Sequence, residues 1–349
     1  MKTINRARVC IVGTGRVAHH YMKLRELGLF QDIEFTTCFD ENEIKAIKFG
    51  KDYQLDSLKS LTEINANEID LVVVSTPSGT HFEVAKACLH RGVPVLIEKP
   101  VALRVEDAHS LEQLALDLGI ELRSVFQNRY NSAMKEAFSI VHSGQLGKIL
   151  TFSLTTLWCR YQEYYDDGWH GKWESDGGVC SQQAIHHLDA LNYLLGMPDT
   201  VCAFAGKRIN NLEAEDTLVG IFNIKGIIGT GQFTTAIRPQ DLEASITIIG
   251  EKLSLRVTGV ALNRLELIDS KGSYITKIDQ HVDNGYGFGH AELFDDFIAE
   301  INGSESSVMP KIQESINALM VVDALYESAE NGKVTEVQRE CSHSKLGLK

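Results

Sequence analysis

Two side chains in this sequence stand where they could move a proton. Lys99 lies in Ile97-Glu98-Lys99-Pro100, directly after a short apolar run. A lysine at the end of a buried strand is partly withdrawn from water, which lowers its pKa and makes it a useful donor or proton relay. The plainer reading is a surface lysine that follows a strand. His186 lies in Gly177-Gly178-Val179-Cys180-Ser181-Gln182-Gln183-Ala184-Ile185-His186-His187-Leu188-Asp189. Gln182, His186 and Asp189 are spaced i, i+4 and i+7, so on a regular helix they share one face. An imidazole there can accept a hydroxyl proton near neutral pH, or can be a satisfied core histidine. Glutamine cannot act as a base, so Gln182 is expected to orient a hydroxyl. His187 is rotated off the face and reads as structural.

A second constellation handles phosphate. Gly13-Thr14-Gly15-Arg16-Val17-Ala18 fits G-x-G-x-x-A between an apolar strand and a helix, the context that turns a weak pattern into a dinucleotide site. Gly13 permits the tight turn and Gly15 lets a pyrophosphate approach the backbone. Ala18 allows close packing, and the amides of the helix N-terminus at Arg16 and Val17 face the anion. Asp40 ends the second strand, where a carboxylate accepts hydrogen bonds from ribose hydroxyls and repels a 2′-phosphate. NAD is therefore expected rather than NADP. The alternatives are a bare structural turn for the glycines and an exposed turn residue for Asp40.

These groups need a sheet edge and a helix to hold them. Strands are predicted at 9–12, 33–39, 69–75, 93–97 and 122–126, alternating with helices at 17–27, 41–51, 80–91 and 105–118. That alternation implies an N-terminal Rossmann doubly wound parallel sheet over residues 1–124. It places Lys99 at the carboxyl edge, where ligands of such sheets bind. After a helix at 133–143 the rhythm changes. Strands at 149–158, 200–205, 218–222, 227–235, 244–250 and 252–258 follow with short turns between the later ones. Residues 125–349 are thus expected to form an α+β domain with an open, mostly antiparallel sheet, closed by helices at 291–302 and 312–330. The segment 342–349 is expected to fray.

Bulk properties set outer limits. The 349 residues carry 34 Lys plus Arg against 47 Asp plus Glu, a net charge of −13, which argues against nucleic acid as the main partner. Seven cysteines without a C-x-x-C pair give neither a disulfide framework nor a zinc knuckle. No apolar run approaches the roughly 20 residues of a membrane span, and no secretory leader is evident. A cytoplasmic protein without metal or membrane is expected. An exposed face on the open sheet would favour a homodimer or homotetramer.

Gly13-Thr14-Gly15, Asp40, Ser75-Thr76-Pro77 followed by His81, and Glu98-Lys99-Pro100 together resemble the Gfo/Idh/MocA family of sugar and inositol dehydrogenases. The likeness runs over nearly the whole chain. It implies that Ser75, Thr76, Pro77 and His81 line NAD, that Glu98 contacts it and that Lys99 reaches cofactor and substrate. It also places His186 on the family's catalytic histidine. Gln182 stands where many members have aspartate.

Between these motifs lie Gln127-Asn128-Arg129-Tyr130-Asn131, Trp158-Cys159-Arg160, Tyr164-Tyr165 and Trp169-His170-Gly171-Lys172-Trp173. Aromatic platforms stack on sugars or bases, and arginines hold carboxylate or phosphate. Arg129, Tyr130, Arg160, Tyr165 and Trp169 are accordingly expected to bind substrate, core packing being the alternative for each aromatic. These stretches are similar to dehydrogenases of bacterial surface-polysaccharide synthesis, which oxidise C3 of UDP-N-acetylglucosaminuronic acid. The resemblance implies oxidation of a sugar ring hydroxyl on a nucleotide-linked sugar or sugar acid. An inositol or free aldose dehydrogenase, or a non-catalytic NAD-binding sensor, are the other readings. His290, after Gly285-Tyr286-Gly287-Phe288-Gly289, reads as a cap at a helix N-terminus, or as a contact with a phosphate or with the neighbouring domain.

Overall fold

The run Val9–Val12 is apolar at every position, as a strand covered on both faces must be. In the computed structural model it sits at the centre of a parallel sheet. The structure describes residue 4 and residues 6–269, 271–282, 284–337 and 340–349. The chain divides into two compact units. One comprises Met1–Ala102, Asp107–Gln127 and Phe288–Ser315; the other comprises Leu103–Glu106, Asn128–Gly287 and Ile316–Lys349. Residues 288–315, assigned from sequence to the second domain, thus belong to the first compact unit.

The first unit contains β1 (Ala7–Val12), β2 (Ile33–Phe39), β3 (Asp56–Ser57), β4 (Leu71–Val74), β5 (Val95–Ile97) and β6 (Leu122–Ser124). Their order is β3-β2-β1-β4-β5-β6, all parallel. Helices α1 (Arg16–Glu26), α2 (Glu43–Tyr53), α3 (His81–Leu89) and α4 (Val105–Leu118) make the crossovers. Register decides what the sheet edge presents. Val12 pairs with both Phe39 and Val74, and Val74 pairs with Ile97. Four strands therefore end level, and the next residues, Gly13, Asp40, Ser75 and Glu98, emerge side by side.

In the second unit, α5 (Ser132–His142) precedes β7 (Ile149–Leu157), and α6 (Ile185–Leu195) precedes β8 (Thr200–Gly206), β9 (Thr217–Ile224) and β10 (Ile227–Thr234). Then follow β11 (Glu243–Gly250), β12 (Leu253–Thr258), β13 (Arg264–Asp269) and β14 (Tyr274–Asp279). The helix α7 (Gly289–Ile301) belongs to the first unit; after α8 (Ile312–Asn331), β15 (Thr335–Glu336) completes the sheet of the second. The order is β14-β13-β12-β11-β7-β10-β9-β8-β15, antiparallel except for the parallel pair β7 and β10.

Alternation separates the faces of this sheet. Phe152, Leu154 and Thr156 are buried, as are Leu218, Phe222 and Ile224, and α6 packs against β7 and β11. The opposite parity leaves Phe204, Val219, Ile221 and Ile228 in the open, Phe204 being 74% exposed. The sequence reading missed β13 and β14; β14 is an edge strand without a buried residue, so it lacks the apolar period that marks a strand, and β13 buries only Leu265. It was also wrong about 342–349. There Arg104 donates to the carbonyls of Ser342, Ser344 and Leu346, Asp323 accepts from the amides of His343 and Ser344, and Leu346 is fully buried. No helix among the described residues is long and apolar enough to cross a membrane.

Candidate active site

At the carboxyl edge of the parallel sheet, Gly13 has φ +96°, and a Cβ on it would lie 2.6 Å from the backbone of Ser75. Both conditions demand glycine. The next glycine is different. Nothing lies within 4 Å of a Cβ built on Gly15, the residue that caps α1. Its backbone therefore faces open space beside helix amides that lack intrahelical partners, a cradle that fits a pyrophosphate. Arg16 is exposed and Val17 half-buried beside it.

Asp40 braces this turn. One carboxylate oxygen accepts from the amide (2.9 Å) and hydroxyl (2.8 Å) of Thr14; the other accepts from the amide of Asn42 (2.9 Å). It is neither fully exposed nor dedicated to a ligand. Ser75, expected to line the cofactor, instead donates its hydroxyl to the carbonyl of Gly13 at 2.7 Å and is buried. His81 likewise makes its contacts within the protein. Its ring nitrogens lie 2.9 Å from the carbonyl oxygen of Thr76 and 2.7 Å from that of Pro100, and the side chain is 1% exposed. Burial pushes its pKa down against the upward pull of those two carbonyls. Its place is a strut between the Ser75-Thr76-Pro77 and Glu98-Lys99-Pro100 loops. Of the first loop, Thr76 is half-buried and Pro77 exposed.

Glu98 faces inward. Burial raises its pKa, but His290, the Tyr21 hydroxyl and Lys99 outweigh this and leave it below the usual carboxylate range. His290 Nε2 lies 3.7 Å from Glu98 Oε1, and Tyr21 donates to the same oxygen. His290 therefore anchors α7 to this carboxylate rather than capping its own helix, whose cap is Phe288. Lys99, next in sequence, is half-buried where Glu98 is buried.

In the second unit the glycine pair opens a wide π turn, Cys180–Ala184, before α6 begins at Ile185. Gln182 lies inside that turn, so the regular-helix spacing used to group it with His186 is broken; π turns of this kind recur at functional sites. From Gly177 to Leu191 every residue is buried except His186, which is half-buried. Gln182 donates its amide nitrogen to Asp176 Oδ1 at 2.5 Å, and Asp176 Oδ2 accepts from the amide of Gly171 at 2.8 Å. That contact orients the amide of Gln182. His187 is structural, as expected: it is 1% exposed, lies 3.1 Å from the Thr156 hydroxyl, and burial pushes its pKa down to about 4.

Three expected substrate contacts are taken by the protein itself. Arg129 makes a two-pronged pair with Asp189, at 2.9 and 2.6 Å, with both side chains 2% exposed. Its guanidinium lies 4.7 Å from the centre of the Tyr193 ring, so it fastens α6 to the segment after β6. Tyr130 is buried beneath Lys135. Tyr165 is buried, its hydroxyl 2.7 Å from that of Thr235, and burial pushes it up to about 12. Arg160 and Trp169 remain half-exposed. The former donates to Asp241 at 3.1 Å and lies over Trp158; the latter lies tilted against His170, ring centres 3.6 Å apart.

Sequence reasoning missed Asp176, Glu215 and Tyr326. Asp176 directly precedes the glycine pair and could have been found there. Nothing in the local pattern ties Glu215 or Tyr326 to the His186 helix.

A level parallel-sheet edge with a Gly-x-Gly turn, an amide cradle and a lysine loop, followed by an open-sheet unit, defines an NAD-binding oxidoreductase. The chain belongs to the Gfo/Idh/MocA oxidoreductase family: residues 7–124 match its NAD-binding Rossmann fold and residues 139–337 its C-terminal alpha/beta domain. Among solved structures, it is similar to the WlbA dehydrogenase of Bordetella pertussis in complex with NADH and UDP-GlcNAcA. That similarity is 31% identity over 95% of this chain and 98% of the other, with a TM-score of 0.83. The WlbA enzyme of Chromobacterium violaceum, with the same two ligands, is 30% identical over 96% and 97%, with a TM-score of 0.85. The scyllo-inositol 2-dehydrogenase (NADP(+)) IolW of Bacillus subtilis is 29% identical over 44% of this chain, which spans 42% of that relative.

Proposed function

We propose that this protein oxidises a ring hydroxyl of a UDP-linked sugar or sugar acid to a keto sugar, with NAD as acceptor, for surface-polysaccharide synthesis. The observation that carries this reading is the end-to-end similarity, at about 30% identity, to two dehydrogenases whose structures hold NADH and UDP-GlcNAcA. Bound NAD supplies the hydride acceptor at its nicotinamide ring. The residues of this chain do the rest. Gly13, Gly15 and the α1 amides hold the pyrophosphate, and Asp40 selects against a 2′-phosphate. His186 takes the hydroxyl proton as the carbon loses its hydride, leaving a carbonyl. Lys99 stabilises the developing alkoxide or relays its proton. Gln182, held by Asp176, orients the substrate hydroxyl. Arg160 and Trp169 are the substrate contacts that stay accessible.

The apolar strip of Phe204, Val219, Ile221 and Ile228 favours a homodimer or homotetramer formed through the open sheet. Four buried free thiols, Cys10, Cys38, Cys88 and Cys180, fit a reducing cytoplasm.

The test is NAD reduction across UDP-sugars, UDP-sugar acids, inositols and free aldoses. Turnover confined to nucleotide-linked substrates supports the reading. Turnover of free inositol instead would favour the second reading, which the IolW relative motivates. NADH binding without turnover of anything would leave only a sensor.

A further inference from the structure

We propose that Glu215 and Tyr326 are positioning residues for the proposed reaction, clamping the π turn that carries Gln182 and leads into the helix that carries His186. What the clamp serves depends on the dehydrogenase reading; the clamp itself is geometric.

The first turn of a helix offers amides that have no partner inside the helix. Here Gly178, Val179, Cys180 and Ser181 are all buried, so water cannot supply the acceptors. Two distant elements do. The Glu215 carbonyl accepts from Val179 at 3.1 Å, and Glu215 Oε1 accepts from Cys180 at 2.9 Å. The Tyr326 hydroxyl accepts from Gly178 at 3.0 Å and from Ser181 at 3.2 Å, and donates to Glu215 Oε1 at 3.0 Å. Four amides are thus held by one carboxyl residue before β9 and one phenol on α8. Gly178 lets the two sides meet, since a Cβ on it would lie 2.1 Å from the Glu215 carbonyl oxygen and 2.2 Å from Oε2.

Burial favours the uncharged form of the carboxyl. Burial pushes Glu215 up to about 8, and nearby Asp176 adds to the rise, against the pull of the Cys180 amide and the Tyr326 hydroxyl. Oε2 is buried and has no hydrogen-bond partner among the described residues, so a negative charge on it would meet no donor. The Cys180 thiol and the Tyr326 phenol face the same group and are themselves raised by burial. Lys207 and Glu330 line the adjoining cavity of about 210 Å³ with Trp173. An amide should therefore replace this carboxyl with little loss, whereas a methyl should not.

The experiment compares Glu215→Ala, Glu215→Gln and Tyr326→Phe in the full chain. It reads kcat, the KM for NAD, and the imidazole resonance of His186, assigned by its loss in His186→Asn. Glu215→Ala should lower kcat about tenfold or more, leave the KM for NAD within about twofold, and displace or broaden the His186 resonance. Glu215→Gln should restore both, because its carbonyl can take the same donors. A folded Glu215→Ala protein with unchanged kcat and resonance would overturn the proposal, as would a Glu215→Gln protein as impaired as the alanine variant. If the alanine variant does not fold, Tyr326→Phe decides: wild-type behaviour refutes the clamp, and a kcat-only loss supports it. A wild type that oxidises nothing refutes the dehydrogenase reading, while the His186 resonance still settles the clamp.

Discussion

The carboxyl edge of the parallel sheet and the head of the His186 helix both withdraw polar groups from water, but they satisfy them differently. At the sheet edge the partners are near neighbours in register. Asp40 holds Thr14, Ser75 holds Gly13, and His81 joins two loops that leave adjacent strands. At the helix head the partners are side chains from elements that no strand register aligns: Asp189 is met by Arg129, and the amides of residues 178–181 by Glu215 and Tyr326. One site is a backbone device that short motifs specify. The other is a side-chain assembly that exists only once the second unit has folded. Changes at the two should therefore fail in different ways.

The sharpest separation is expected from the proposed chemical groups. Lys99→Met and His186→Asn should each lower kcat by roughly 10²- to 10⁴-fold, while NADH still binds His186→Asn as tightly as wild type. Initial rates on the substrate that proves active, with NADH fluorescence titration alongside, measure both quantities. Unchanged turnover in either variant would remove that residue from the mechanism.

Next in size is the loss of the buried ion pair. Arg129→Met leaves the Asp189 carboxylate buried and stripped of its guanidinium, which should cost about 3–5 kcal/mol of stability. Urea unfolding would show it. A variant of normal stability with a raised KM for the sugar would instead return Arg129 to the substrate-binding role that its sequence position suggested.

That reversal shows where legibility ended. Gly13, Gly15 and Asp40 could be read because a turn between two strands is a local event, and its glycine requirements follow from a few residues. The level ending of β1, β2, β4 and β5 follows from parallel pairing of apolar runs, so the position of Lys99 could be read too. Arg129, Tyr130 and Tyr165 looked like ligand contacts because polar and aromatic residues after a strand often are. Their burial depends on Asp189, Thr235 and the packing of the second sheet, none of which a local pattern encodes. The particular partners of His290 were out of reach for the same reason, since Glu98 and Tyr21 are remote from it in sequence. The π turn at Cys180–Ala184 likewise has no mark in a sequence that was counted at regular helical spacing.

A smaller effect separates the two regions by pH. His187 is neutral and buried, with its pKa lowered to about 4 from an ordinary 6.5. The folded state then binds fewer protons than the unfolded chain between those values, so stability is full above pH 6.5 and falls as pH drops toward 4. The loss should total roughly 3 kcal/mol. Glu215, raised rather than lowered, acts in the opposite sense as pH rises. Comparing His187→Gln with wild type at each pH isolates the histidine. Parallel curves of unfolding free energy against pH for the two proteins would show that His187 is not the titrating group.

The smallest effect probes the sheet edge alone. Asp40 has one observed job and one proposed: its oxygens hold Thr14 and Asn42, and its charge is proposed to repel a 2′-phosphate. Asp40→Asn parts them, because the amide keeps an oxygen for the Thr14 donors but removes the charge. If repulsion sets cofactor choice, the NADP-to-NAD ratio of kcat/KM should rise about tenfold, near 1.4 kcal/mol, mainly through a lower KM for NADP. The KM for NAD should move less, since the turn stays braced. A ratio that does not move would mean that Asp40 serves the fold of the turn only, and that discrimination lies elsewhere on the edge. A fall in affinity for both cofactors together would show that the brace, not the charge, is what the dinucleotide depends on. Either result would bring the sheet edge closer to the helix head, a place where side-chain bracing rather than backbone shape decides what binds.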